Sequence, residues 1–178
     1  INGPISKKNF LSKKFLGITE YISSNFSIKK NAMLIFNKKL AVCPITTHLP
    51  LKLVPKKIKK SLIIEKIKLI NNFYNDFLKY EPKIAITGLN PHCESNQQKN
   101  EDMDIIRPTV KILQKKGFNI SGPYPADTIF LEKNRKNFNV IVGMYHDQVL
   151  GPYKTLYEYD AINITLGLPF IRVSPDHG

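Results

Sequence analysis

Residues Asn139–Gly151, NVIVGMYHDQVLG, decide how the fold is read. Val140 to Met144 form a short apolar run rich in β-branched residues, and this reads as a buried strand. The run ends in a cluster able to do chemistry: Tyr145, His146, Asp147 and Gln148. In open α/β sheets, ligand-binding groups gather at the carboxyl ends of the strands. His146 is therefore expected where a strand opens into a loop, with Asp147 beside it. A single histidine at a strand end is more often a satisfied structural group than a ligand. Two further occurrences of the same construction change that weighting.

The first is in residues 32–48, AMLIFNKKLAVCPITTH, which read as two strands around a polar turn at Asn37, Lys38 and Lys39. The second of those strands runs out through Thr46 and Thr47 to His48, before Leu49 and Pro50 break it. The other is in residues 84–95, IAITGLNPHCES. Here Ile84 to Ile86 read as a short buried strand, Gly88, Asn90 and Pro91 as a turn, and His92 lies at its exit with Glu94 close by. Neutral imidazoles that converge in space are common ligands of Zn²⁺ and suit other divalent ions. Spacing alone does not prove convergence, and no compact motif such as HExxH occurs.

Between these strands the periodicity is helical. In residues 55–80, Ile58, Leu62, Ile63, Ile67, Ile70, Phe73 and Phe77 fall near one face with lysines opposite. Glu101 to Lys116 form another amphipathic helix, closed by Gly117. Gly17 precedes Thr19 and Glu20, a plausible entry into a helix over ITEYISSNF that suits either an anionic ligand or an ordinary cap. NISGPYPADTIF presents a Gly-Pro turn and Asp127, which reads as a helix cap or an active-site carboxylate. INITLGLPFIRVSPDHG is expected to be a strand, a Gly-Leu-Pro turn and a second strand. Alternating strands and helices predict an α/β fold with a mixed or largely parallel sheet.

Composition limits the classes. The chain has 178 residues, 42% of them hydrophobic, enough for one good core or part of two. Lys and Arg number 27 against 14 Asp and Glu, a formal charge of +13. Such a balance often signals nucleic acid or an anionic surface as partner, but the lysines are scattered and no interleaved aromatic–basic motif accompanies them. Two cysteines outside any CxxC pair give neither a disulfide framework nor a zinc ribbon, and fit a reducing cytoplasm. There is no apolar run of membrane-spanning length, no signal-peptide pattern and no GxGxxG. A chain that begins at Ile1 and stops directly after a motif-like run reads as an internal piece of a longer protein.

Taken together, TTHLPL at 46–51, GLNPH at 88–92, GPYPADT at 122–128, MYHDQ at 144–148, and NITLGLPFIR at 163–172 followed by SPDHG resemble the 4-hydroxythreonine-4-phosphate dehydrogenase family of vitamin B6 biosynthesis. The resemblance covers nearly the whole chain. It implies an isocitrate/isopropylmalate dehydrogenase-like two-domain α/β fold, incomplete in this segment, of which residues 1–178 are the central and C-terminal part. It also implies a homodimer with an interface active site, and neither nucleic acid nor membrane as a partner. The implied reaction is NAD-dependent (or NADP-dependent) oxidation of a phosphorylated amino acid. A divalent metal (Zn, Mg or Co) held by His48, His92 and His146 would assist it. Substrate contacts carry over to Thr19, Lys154, Asn163 and Arg172, while Asp127 and Asp147 are the candidates for proton transfer or for orienting a ligand histidine. Where the family has GHTE this chain has GITE, so Ile18 replaces a substrate-binding histidine with a side chain that cannot hydrogen-bond. That departure keeps two alternatives open: the same chemistry on a related phosphorylated hydroxy acid, or a non-catalytic family member.

Overall fold

The computed structural model describes residues 30–93 and 100–175, together with Tyr21, Ser24 and Phe26. Its centre is a seven-stranded sheet: β1 (Ala32–Phe36), β2 (Ala41–Thr46), β3 (Ile84–Thr87), β4 (Ile120–Tyr124), β5 (Val140–Tyr145), β6 (Ile162–Leu166) and β7 (Arg172–Pro175). The spatial order is β4-β3-β5-β2-β1-β6-β7. β4, β3, β5 and β2 are mutually parallel, and β1, β6 and β7 add on antiparallel. The fold is the α/β class expected from the alternation of elements.

The burial of the strands follows from their composition. β2, β3 and the first five residues of β5 are buried throughout, as continuous apolar runs covered on both faces should be. One face packs beneath α1 (Lys60–Phe73) and α2 (Arg107–Lys115), through Ile63, Ile67 and Ile70 on the first and Val110 and Leu113 on the second. The other face packs against α3 (His146–Tyr157) through Val149, Leu150 and Tyr153.

Four sequence expectations need correction. The helix expected over 55–80 is a short turn at Val54–Lys57, a break at Ile58, then α1, which runs on into a wider π turn at Tyr74–Leu78. The π turn, with i→i+5 bonds, shifts the phase of the exposed face. Tyr74, four residues after Ile70, continues the buried face of α1 (1% exposed), while Phe77, beyond the phase shift, turns out to solvent (55%). His146 does not open a loop, because it is the first residue of α3, with Tyr145 as extended N-cap. The Gly151-Pro152 pair hid that helix, although the buried face of Val149, Leu150 and Tyr153 holds it together. Asp127 is not a cap. Pro125 occupies that position, and Asp127 sits exposed in the first turn of Ala126–Ile129. The strand β4, read in sequence only as a turn, includes a cis Gly122–Pro123 bond.

Candidate active site

The four parallel strands end on one edge of the sheet, and the chain leaving each end carries a candidate residue. From β2 it leads to His48, from β5 to His146, from β3 to His92 and from β4 to Asp127. His48 and His146, from adjacent strands, are brought together with ring centroids 5.9 Å apart and planes tilted by 40°. The Nδ1 of His146 lies 2.7 Å from the Oδ1 of Asp147. An ionised carboxylate only accepts, so Nδ1 carries the proton and the lone pair of the neutral ring falls on Nε2, the state a metal ligand needs.

His92 stands one strand further along, exposed, in the turn Pro91–Cys93 with a left-handed φ of 57°. Together with Asn90, Asp127, Tyr145 and Gln148 it lines a cavity of about 320 Å³ over the ends of β3, β4 and β5. Among the described residues, no three His, Cys, Asp or Glu side chains gather closely enough in one chain to hold an ion. The donor set nevertheless fits a nitrogen-liganded divalent ion at two positions, because two facing imidazoles at this spacing can share one ion.

The expected substrate residues lie elsewhere in the chain. Lys154 comes eight residues after His146 on α3, about 12 Å along the axis at 1.5 Å per residue, with its Nζ 4.8 Å from the centre of the Tyr159 ring. Asn163, on β6, pairs with Ile35, which in turn pairs with Val42 near the start of β2. His48 follows the other end of β2, so the register separates Asn163 from the histidine edge. The Oδ1 of Asn163 is buried without a hydrogen-bond partner among the described residues. Arg172, on β7, donates from Nη1 to the Thr165 hydroxyl at 2.8 Å. Thr19, Ile18 and Glu94 lie outside the described residues.

Sequence reading named Gln148 and Thr46 but did not foresee that they join Thr87 and Asp102 as buried polar side chains beneath the histidine edge. The Thr46 hydroxyl donates to the Met144 carbonyl at 2.7 Å. Gln148 Oε1 accepts from Met144 N at 2.6 Å and from the Thr87 hydroxyl at 2.9 Å, while its Nε2 donates to Gly88 O at 2.8 Å. Asp102, fully buried, accepts from Leu89 N at 2.6 Å and from Asn90 N and Nδ2 at 3.0 and 2.7 Å. For Thr46 and Thr87 the available signal was a polar residue closing an apolar strand. Beside this group the Cys93 thiol is pushed up, chiefly by burial, with the carboxylates of Asp102 and Asp127 adding to the effect. The thiol of Cys43, on β2, is pushed up by burial to about 12, which keeps it protonated and unreactive near neutral pH.

The family model described as Pyridoxal phosphate biosynthetic protein PdxA matches residues 1–178. The chain belongs to that family. It is 49% identical over 180 residues to the 4-hydroxythreonine-4-phosphate dehydrogenase of Sulfurihydrogenibium sp. (strain YO3AOP1), covering 98% of this chain and 55% of that one. It is 41% identical to the enzyme of that name from Aquifex aeolicus (strain VF5), with the same coverage. The crystal structure of 4-hydroxythreonine-4-phosphate dehydrogenase from Klebsiella pneumoniae superimposes with a TM-score of 0.84 at 34% identity, over 99% of this chain and 55% of that one. A terephthalate 1,2-cis-dihydrodiol dehydrogenase from Burkholderia xenovorans LB400 shares the fold, with a TM-score of 0.73 at 20% identity, over 87% of this chain and 50% of that one. The chain spans about half the length of the curated relatives it matches.

Proposed function

We propose that this chain is the histidine-bearing part of a 4-hydroxythreonine-4-phosphate dehydrogenase, acting in pyridoxal phosphate biosynthesis in the cytoplasm. The reaction oxidises the secondary alcohol of 4-phosphohydroxythreonine to a β-keto acid, which loses CO₂ to give 3-amino-2-oxopropyl phosphate. NAD accepts the hydride. The observation that carries this reading is the common strand edge of His48, His146 and His92, in a chain whose relatives bear that name.

In this reading His48 and His146 would hold a divalent ion together with a His92 imidazole from across the interface of a homodimer. Such an ion would supply Lewis acidity, lowering the pKa of the alcohol and offsetting the negative charge that develops on its oxygen. Asp147 fixes the tautomer of His146. Asp127, exposed in the cavity with His92, takes up the hydroxyl proton. Lys154 and Arg172 bind the phosphate or carboxylate, Arg by a bidentate fork, and Thr19 adds a hydroxyl. The buried Oδ1 of Asn163, without a hydrogen-bond partner among the described residues, suits a donor on the substrate such as an ammonium. A dimer interface accounts for the separation of these residues from the histidines of their own chain.

The test is NADH absorbance with purified full-length protein, 4-phosphohydroxythreonine and added Mg²⁺ or Zn²⁺. Substrate-dependent NADH that a chelator abolishes is the expected result. Ile18, in place of the family's histidine, favours one second reading, namely a related phosphorylated hydroxy acid as substrate. NADH formation with a phosphorylated sugar acid but not with 4-phosphohydroxythreonine decides for it. Absence of NADH with either overturns both.

A further inference from the structure

We infer that Gln148 is a positioning residue that sets the spacing between the histidine-bearing strand ends. The inference rests on the metal-site reading above. Its basis is the way one buried amide spans two strands. Gln148 lies two residues after His146 in the first turn of α3, and its side chain turns back under the sheet edge rather than out to solvent (9% exposed). Its carbonyl oxygen takes the Met144 amide of β5 and the Thr87 hydroxyl of β3, and its NH₂ group reaches Gly88 O, where the loop to His92 begins.

The neighbours of this amide extend the link in both directions. Met144, whose N–H Gln148 accepts, offers its carbonyl to Thr46 of β2, two residues before His48. Beyond Gly88, the Leu89 and Asn90 amides are fixed by Asp102. The three exits are thus joined through side-chain hydrogen bonds, and Gln148 is the only one of these side chains among the described residues to touch both the His146 strand and the His92 loop. Gly143 makes the approach possible, because a Cβ there would lie 3.1 Å from Gln148 Oε1 and against Val149 Cγ1. The side chain uses its acceptor twice and one donor once, in a buried setting where a partly satisfied amide is penalised. Its position is therefore well determined. Outer hydrogen bonds of this kind orient ligands without touching the ion.

The experiment titrates Co²⁺ into the full-length apoprotein. It follows visible d–d absorption for affinity and ligand geometry, and circular dichroism for folding. Gln148→Met keeps length and apolar bulk but cannot donate to Gly88. The expectation is a loss of Co²⁺ affinity of about 10- to 100-fold with an altered d–d band, in a protein that still melts cooperatively. Thr87→Val, which leaves the Met144 and Gly88 bonds intact, should weaken binding less. It also serves as the test should Gln148→Met not fold, since unchanged affinity and spectrum in a folded Thr87→Val then overturn the inference. His48→Ala separates the two failures. If the wild type binds Co²⁺ no better than His48→Ala, the metal-site reading falls and this inference with it. If the wild type binds and Gln148→Met binds equally tightly with the same spectrum, only the positioning role is overturned.

Discussion

Replacing Asp102 by Asn removes one acceptor and little else. The carboxylate is fully buried, with Oδ1 taking Leu89 N at 2.6 Å and Oδ2 taking Asn90 N at 3.0 Å and Nδ2 at 2.7 Å. An amide keeps one oxygen and turns the other into an NH₂ donor. If the NH₂ faces Leu89, one backbone amide meets a donor; if it faces Asn90, two groups do. The smaller loss sets the magnitude, because the side chain will turn that way. One hydrogen bond to a charged acceptor, left unmade in a buried site, amounts to about 1.5–3 kcal/mol. At roughly 2–4 °C per kcal/mol for a chain of this size, the melting temperature should fall by about 3–12 °C. Thermal melting followed by circular dichroism reads the global effect, and amide hydrogen exchange at Leu89 and Asn90 reads the local one. An unchanged melting temperature with both amides still protected would refute the reasoning, since it would mean that the loop before His92 is held by something other than this carboxylate.

Three further outcomes are expected. Gly143→Ala should destabilise by about 1–3 kcal/mol, because its methyl runs into Val149 Cγ1 at the start of α3; a urea midpoint equal to that of the wild type would show that the helix can shift without loss. Lys154→Ala and Arg172→Ala should raise KM for the phosphorylated substrate roughly ten- to a hundredfold, from about 1.5–3 kcal/mol each, and leave KM for NAD⁺ nearly unchanged; equal effects on both would place these side chains in the fold or the cofactor site. Burial holds the Cys43 thiol at about 12 in the folded chain, against 9 when free. Below pH 9 both states keep the proton, so stability is unaffected. Between about 9 and 12 only the unfolded chain releases it, so stability falls as pH rises, by roughly 1–2 kcal/mol by pH 10. Urea midpoints for wild type and Cys43→Ala should diverge in that window, and parallel curves would contradict the assignment.

Three of the four parallel strands, β2, β3 and β5, were legible because they are short, continuous apolar runs, and such runs are what two covered faces demand; β4, ISGPY, was not, because its Gly122-Pro123 pair signals a turn. Three histidines at the exits were legible for the same reason, since each follows a run that cannot continue. The start of α3 at His146 was not, because Gly151 and Pro152 signal a turn locally while the burial of Val149, Leu150 and Tyr153 keeps the segment helical. Nor was the outward turn of Phe77, since a π turn leaves no composition mark. Asp102 was hidden in the acidic string Glu101, Asp102, Asp104, where only tertiary structure tells the buried carboxylate from its exposed neighbours. Sequence could place His48 and His146 at strand ends, but their pairing depends on strand order, and local pattern does not encode that.

Strand order also governs when this molecule can assemble. β5 lies between β2 and β3, yet it is made after both of them and after β4. A chain emerging from the ribosome can close the β1–β2 hairpin and pair β3 with β4, but these remain two halves with no shared hydrogen-bonded edge. At about 5–20 residues per second, the stretch from the end of β3 to the end of β5 takes several seconds to synthesise. Throughout that interval the apolar margins of β2 and β3 lack their common neighbour. The His48–His146 pair cannot form before the gap is filled, so the arrival of Val140–Tyr145 joins the halves and creates the imidazole pair in one event.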